Sequence, residues 1–277
     1  MSTRTSPDAV HEVADTLARA AQTSTPCPPV RDCLGEGDIA AAYAVQQVNI
    51  QRRLAQGHRV VGRKIGLTSP SVQRQLGIEQ PDYGALLSDM AVLDGDVIPA
   101  GRLLQPKIEA EVALVLGGDL PHAQSTVADV LRAVDFALPA LEIVDSRIAD
   151  WDIGIVDTVA DNASSGLFVL GASPMPLTGV DLRSMRMTLV KGGEKVSQGR
   201  GSDCLGGPLN AAVWLASTLA EAGDPLRAGD IVLTGALGPM ADASPGDSFE
   251  ARISDLGSVR VSFGPHAFAT LAEGDHK

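Results

Sequence analysis

The segment Gln105–Leu116 reads QPKIEAEVALVL. It is apolar over most of its length and short enough to be a single strand. Glu109 and Glu111 sit two residues apart within it. In a strand, residues i and i+2 point to one face, so the two carboxylates project together while Ile108, Ala110 and Val112 face the other way. Ala113 and Val115 continue the glutamate face as apolar positions, so that face is not fully solvated. Two carboxylates side by side in a partly buried place cannot both stay ionised without a counter-charge, and a divalent cation supplies one. The bland alternative is a solvated face carrying two unrelated glutamates. A third carboxylate sharpens the choice. Glu142 lies in Phe136–Val144 (FALPALEIV), a run with no other charge, where a glutamate is costly unless paired or coordinated. Glu109, Glu111 and Glu142, drawn from two strands, would form an all-oxygen site. Hard oxygen ligands favour Mg2+ or Mn2+ over zinc or copper, and three protein ligands leave positions open for substrate.

Outward from this segment, the chain beyond Asp89 is built of short apolar runs separated by Gly-Asp and Pro-Gly turns, which predicts a β-rich body. Expected strands include Leu138–Val144, Leu167–Leu170, Met185–Val190, Asp230–Thr234, Phe249–Ile253 and Val259–Phe263. Two helices interrupt them, one starting near Ser125 and one over Leu209–Ala222. The first third is helical instead. Val10, Val13, Leu17 and Ala20 share a face of Ala9–Ala21, and Ser6-Pro7 is a suitable start. A second helix is expected over Asp38–Gln56, followed by a strand over Arg59–Leu67. Strands and helices do not alternate regularly, which disfavours a doubly wound sheet. The expected fold class is therefore α+β, with a helical N-terminal portion over residues 1–58 packed on a mixed β catalytic body over residues 59–277.

A net charge of −12 with no basic block gives no general attraction for nucleic acid. Cys27, Cys33 and Cys204 are an odd number without CxxC spacing, which predicts reduced thiols in a cytoplasmic protein rather than a disulfide framework. No apolar stretch approaches a membrane span. The nucleophile elbow, the phosphate loop and the H-E-x-x-H zinc helix are absent. Gly199–Gly206 (GRGSDCLG) does not match G-x-G-x-x-G and reads as a turn. The five histidines, His11, His58, His122, His266 and His276, are scattered, so the acid/base candidates are lysine and carboxylates.

Six blocks in order, Val61–Thr68 (VGRKIGLT), Pro81–Gly84 (PDYG), Gln105–Val112 (QPKIEAEV), Ala140–Ile148 (ALEIVDSRI), Thr158–Gly166 (TVADNASSG) and Gly229–Gly235 (GDIVLTG), resemble the 2-keto-4-pentenoate hydratase family of the fumarylacetoacetate hydrolase superfamily. Related 4-oxalocrotonate decarboxylases share the blocks with variations, and DSRIADWDIGIVDTVADNASSG is more similar to the hydratase branch. The resemblance implies a mixed β roll with a helical N-terminal portion, assembled as a homo-oligomer, a pentamer or decamer. It implies that Glu109, Glu111 and Glu142 bind one Mg2+ or Mn2+, that Lys64 and Asp82 line the active site in catalytic roles, and that Ser164 and Thr234 contact substrate. Plainer readings stand beside these. Pro-Asp-Tyr-Gly is a good turn sequence. Lys64 suits a surface position at a strand end, and Asn162 with Ser164–Ser165 suits a loop. Asp230 suits a turn, and Asp145–Arg147 a structural ion pair.

The implied reaction is addition of water to 2-hydroxypenta-2,4-dienoate, or an alkyl relative, to give a 4-hydroxy-2-oxo acid in the breakdown of aromatic or steroid rings. The alternative is decarboxylation of 2-oxo-3-hexenedioate, which would require a cationic or polar pocket for a second carboxylate. A third reading, from a different class, is a non-catalytic, metal-stabilised partner subunit.

Overall fold

The computed structural model describes residues 5–35, 37–69 and 81–265; His266 and His276 lie outside them. The chain opens with helices α1 (Pro7–Thr23), α2 (Arg31–Leu34) and α3 (Ile39–Ala55). Ser6 caps α1 by accepting from Ala9 N–H, and Asp38 caps α3 by accepting from Ala41 N–H. Each cap satisfies a donor that the helix itself leaves free. Strands β1 (Val60–Gly66), β2 (Asp82–Leu87), β3 (Ala91–Val92), β4 (Val97–Ile98) and β5 (Pro106–Leu116) follow. Then come α4 (Val127–Ala133), β6 (Val134–Asp145), α5 (Ile155–Ala160), β7 (Ser165–Leu170), β8 (Arg186–Lys191) and β9 (Glu194–Arg200). The chain ends through α6 (Pro208–Glu221), β10 (Ile231–Ala236), β11 (Ala241–Asp242), β12 (Ser248–Ile253) and β13 (Gly257–Phe263).

The strands form two mixed sheets. One is eight-stranded in the order β2-β1-β10-β5-β6-β7-β3, with β11 beside β5; the other is five-stranded in the order β4-β13-β12-β8-β9. Alternation along β5 and β6 divides the larger sheet into two faces. Ile108, Ala110, Val112, Leu114, Leu141 and Ile143 join the main core with Leu189, Ala251, Val259 and Val261 of the second sheet and Leu215 of α6. The opposite face carries a smaller apolar cluster of Ala113, Leu138, Ala140, Phe168 and Leu233, and on this face the glutamates stand. The α+β reading holds, with mixed sheets and a helical N-terminal portion.

The N-terminal helices do not have a core to themselves. Val13, Leu17, Ala42 and Val45 pack with Ile148, Val156, Val159 and Ala160 of the body. Polar contacts reinforce that docking. Asp157 on α5 accepts from the Val30 and Arg31 amides at 2.8 Å each, and its other oxygen takes the Arg31 guanidinium at 2.7 Å.

Two local expectations are overturned. Pro81–Gly84 is not a turn, because Asp82 begins β2 and pairs across from Gly66. Gly199–Gly206 is not only a turn, because the hairpin β8–β9 runs through Arg200 before a short 3-10 turn at Gly201–Asp203.

Candidate metal centre and acid/base site

The register of β5 and β6 sets Glu109 directly opposite Glu142, and Glu111 opposite Ala140. One carboxylate oxygen from each of Glu109, Glu111 and Glu142 lies within 4.8 Å of the others. Glu111 and Glu142 are buried and Glu109 is partly buried. Oε1 of Glu111 and Oε2 of Glu142 are buried without a hydrogen-bond partner among the described residues, while Oε1 of Glu142 is met by Lys64 Nζ at 2.9 Å. Leaving a buried charged acceptor unmet costs more than the roughly 1–3 kcal/mol of a neutral one, so two such oxygens within a cluster of three carboxylates call for a further cation beside Lys64. An all-carboxylate donor set of this kind suits a hard divalent ion. The residues present therefore fit the Mg2+ or Mn2+ expected from the sequence.

Burial is the first cause of the carboxyls' altered acidity. Glu109 is pushed up to about 7, by desolvation and then by Glu142. Glu111 is raised well above its ordinary 4.5 by desolvation and by its two glutamate neighbours, against the opposing effect of the Gly235 amide. That amide donates to Glu111 Oε2 at 2.8 Å.

Lys64 and Asp82 come to the same place from β1 and β2. Lys64 Nζ lies 2.9 Å from Glu142 Oε1, and the side chain is almost wholly enclosed. Burial works against the ammonium charge, but Glu142, Asp82 and Glu109 outweigh it, and Lys64 is held protonated above its usual range. The surface-lysine reading is excluded. Asp82 is 1% exposed, with Oδ1 lacking a hydrogen-bond partner among the described residues. Desolvation lifts it to about 6, and Lys64 partly offsets that rise. Room for its carboxylate is made by Gly66, where an added Cβ would lie 2.2 Å from Asp82 Oδ1.

Ser164 is buried beside this group. Its Oγ is 3.4 Å from Thr158 Oγ1, which donates to Asp82 Oδ2 at 3.4 Å. Thr234 is placed differently. It is completely buried and its hydroxyl donates to Val112 O at 2.9 Å inside the sheet, where β10 departs from regular pairing with β5. Asp230 is a turn residue, accepting from Arg227 N–H at 2.8 Å. Asp145 and Arg147 approach only to 3.9 Å; Asp145 accepts from the Leu104 and Gln105 amides and so fixes the start of β5.

Sequence reasoning gave no role to Thr158 or to the residues that shape the approach. A cleft of about 540 Å³ leads to Glu109 past Thr68, Gln198, Ser202, Asp203 and Met240. Its described lining includes two acids, Glu109 and Asp203, and no lysine or arginine. The glycines of Gly199–Gly206 were the only local signal for this wall.

The fumarylacetoacetate (FAA) hydrolase C-terminal family matches residues 68–263. The chain is 56% identical over 255 residues to the TodF product hydratase of Pseudomonas putida F1, covering 92% of this chain and 95% of that one. It is 54% identical over 257 residues to the 2-keto-4-pentenoate hydratase of Paraburkholderia xenovorans LB400, covering 93% and 96%. The structure of 4-oxalocrotonate decarboxylase from Pseudomonas putida G7, complexed with magnesium and adipate, superposes with a TM-score of 0.90 at 36% identity, covering 94% of this chain and all of that one. Identity above one half to these hydratases over nine-tenths of the sequence, together with the family match over residues 68–263, shows that the chain belongs to the 2-keto-4-pentenoate hydratase family of the fumarylacetoacetate hydrolase superfamily.

Proposed function

We propose that the chain is a metal-dependent hydro-lyase that adds water to 2-hydroxypenta-2,4-dienoate, or a close alkyl relative, giving a 4-hydroxy-2-oxo acid in the breakdown of aromatic or steroid rings. The observation that carries this reading is the convergence of Glu109, Glu111 and Glu142 with Lys64 and Asp82 on one buried sheet face. The hydratase names of its relatives at 54–56% identity support it. Glu109, Glu111 and Glu142 would hold Mg2+ or Mn2+, which would supply Lewis-acid stabilisation of negative charge developing on a 2-oxo acid.

The remaining work falls to the side chains. The dienol first ketonises, taking a proton at C5, and water then adds at C4 of the conjugated enone. Asp82, at about 6, is mostly ionised near neutral pH yet basic enough to accept a proton from that water. Lys64 is held as a cation and so binds developing negative charge rather than acting as a base. Ser164 and Thr158 form a hydroxyl chain against Asp82 that orients its carboxylate, with Ser164 at the substrate wall. Thr234, engaged by Val112 O, steadies the strand whose next amide holds Glu111.

The decarboxylase reading is favoured by the 0.90 TM-score match to 4-oxalocrotonate decarboxylase. Against it, the decarboxylase is 36% identical to this chain, whereas relatives at 54–56% identity carry hydratase names. Purified protein with Mg2+ is expected to consume the dienoate, followed by loss of its ultraviolet absorbance, and to stop when chelator is added. Faster turnover of 2-oxo-3-hexenedioate would instead establish the decarboxylase, and no turnover of either would leave the non-catalytic partner. The family match supports a homo-oligomer, a pentamer or decamer, and light scattering that returns a 28.7 kDa particle overturns this. Three free thiols suit a reducing, cytoplasmic compartment. No helix among the described residues is long and apolar enough to cross a membrane.

A further inference from the structure

Asn162, Ala163 and Ser164 adopt left-handed backbone conformations in succession, at φ 56°, 51° and 50°. None is glycine, and three such residues in a row persist only where the surroundings over-determine them. Beside the turn's own bonds, in which Asp145 N–H donates to Ser164 O at 2.8 Å and Ser165 Oγ to Asn162 O at 2.7 Å, one side chain reaches both of its ends. The Arg147 guanidinium donates from Nε to Asp161 Oδ1 at 2.5 Å, from Nη2 to Asp161 O at 2.7 Å and from Nη1 to Ser165 O at 2.8 Å. Its own amide donates to Asp161 Oδ2 at 3.0 Å. Arg147 therefore grips the residue before the left-handed stretch and the residue after it. Its position is fixed from behind, because Arg147 O accepts from Cys27 N–H at 2.9 Å.

What the turn delivers is the acid/base group. The Asn162 carboxamide accepts from Ala85 N–H at 2.7 Å and donates to Ala85 O at 2.9 Å, clamping β2 three residues beyond Asp82. Ser164 presents its hydroxyl to Thr158 and so to Asp82. The close approach is built in on both sides, since a Cβ on Gly84 would lie 2.4 Å from Asn162 O. Arg147 itself faces a separate cavity of about 430 Å³ under α1 and α3, not the cleft that leads to Glu109.

We infer that Arg147 is a positioning residue for the hydration reaction: by holding both ends of the Asn162–Ser164 turn it sets the orientation of Asp82 without touching substrate. The inference rests on the proposed hydratase reading for its kinetic test, but not for its structural one. Arg147→Ala is expected to lower kcat by about 10²-fold, the scale of a misplacement near 1 Å. KM and Mn2+ affinity should stay at wild-type values. Added guanidinium at sub-denaturing concentration, entering the cavity beneath the helices, should restore part of kcat. Amide hydrogen exchange at Ala85, whose N–H is held by Asn162, should accelerate while exchange in β5 and β6 does not. If the alanine variant fails to fold, Arg147→Lys keeps the charge, loses the fork and is read for the same quantities. Wild-type kcat and wild-type Ala85 exchange in a folded variant overturn the inference. So does a variant that loses Mn2+ affinity and β-sheet protection together with kcat and gains nothing from guanidinium, which marks a merely structural arginine. A wild-type protein that turns over no dienoate defeats the functional reading alone, and the exchange at Ala85 then decides the role of Arg147.

Discussion

At the scale of single residues, the site separates charges by what each must do. Three glutamates bring their carboxylates together, with Glu111 Oε1 and Glu142 Oε2 buried and unmet among the described residues, Lys64 is kept cationic by acids around it, and Asp82 is lifted into the range where a carboxylate exchanges protons near neutrality. These roles predict different failures. Glu109→Gln removes one of the three proposed anionic ligands with little change of shape, so Mg2+ affinity and turnover should fall together and excess Mg2+ should restore part of the turnover; isothermal titration and a Mg2+-dependent rate series check this. Asp82→Asn is nearly isosteric but cannot take a proton. It should bind Mg2+ and a 2-oxo acid analogue such as oxalate as the wild type does, and lose hydration by at least about tenfold, the low side of an acid/base contribution. Ketonisation of the dienol need not use the same base and can survive. Full hydratase activity in this variant would move the base elsewhere.

At the scale of elements, register decides whether the carboxylates meet. Glu109 stands opposite Glu142, and a slip of one residue between β5 and β6 would turn one of them to the other face. Asp145 guards that register by taking the Leu104 and Gln105 amides where β5 begins. The β1–β2 pair has its own device at Gly66, which leaves space for the Asp82 carboxylate. Gly66→Ala keeps the strand conformation but puts a methyl group 2.2 Å from Asp82 Oδ1, so the carboxylate must move. The expected result is a kcat reduced by about tenfold or more, as for loss of the base proposed at Asp82, with Mg2+ affinity kept. A variant with unchanged kcat would show that the orientation of Asp82 is not critical.

At the scale of the whole molecule, the site costs stability in the metal-free protein. Asp82 and Glu109 titrate at about 6 and about 7 in the folded state, raised first by desolvation from ordinary values of 3.8 and 4.5. The folded chain thus holds protons that the unfolded chain has released, so this stabilisation is complete below the ordinary values and is lost as pH rises through 6 and 7. Metal binding needs the deprotonated carboxylates and runs the other way. Scanning calorimetry of metal-free protein should show Tm falling from pH 4.5 to 7.5, with the gain in Tm from added Mg2+ growing over the same interval; a gain that shrinks as pH rises would contradict the three-glutamate site. The sequence by itself determined the local facts: capped amphipathic helices, two glutamates on one face of an apolar strand, and a third in a run where a charge is costly. These follow from periodicity and burial cost, which neighbouring residues encode. Only the tertiary structure decided that Lys64 is enclosed rather than at a surface, that Pro-Asp-Tyr-Gly opens a strand, that Thr234 is spent on a sheet carbonyl, and that Ser202 and Asp203 wall the cleft. Each of these depends on which distant strand lies alongside, and cross-strand pairing with its close approaches overrides the conformation that a short segment would prefer alone.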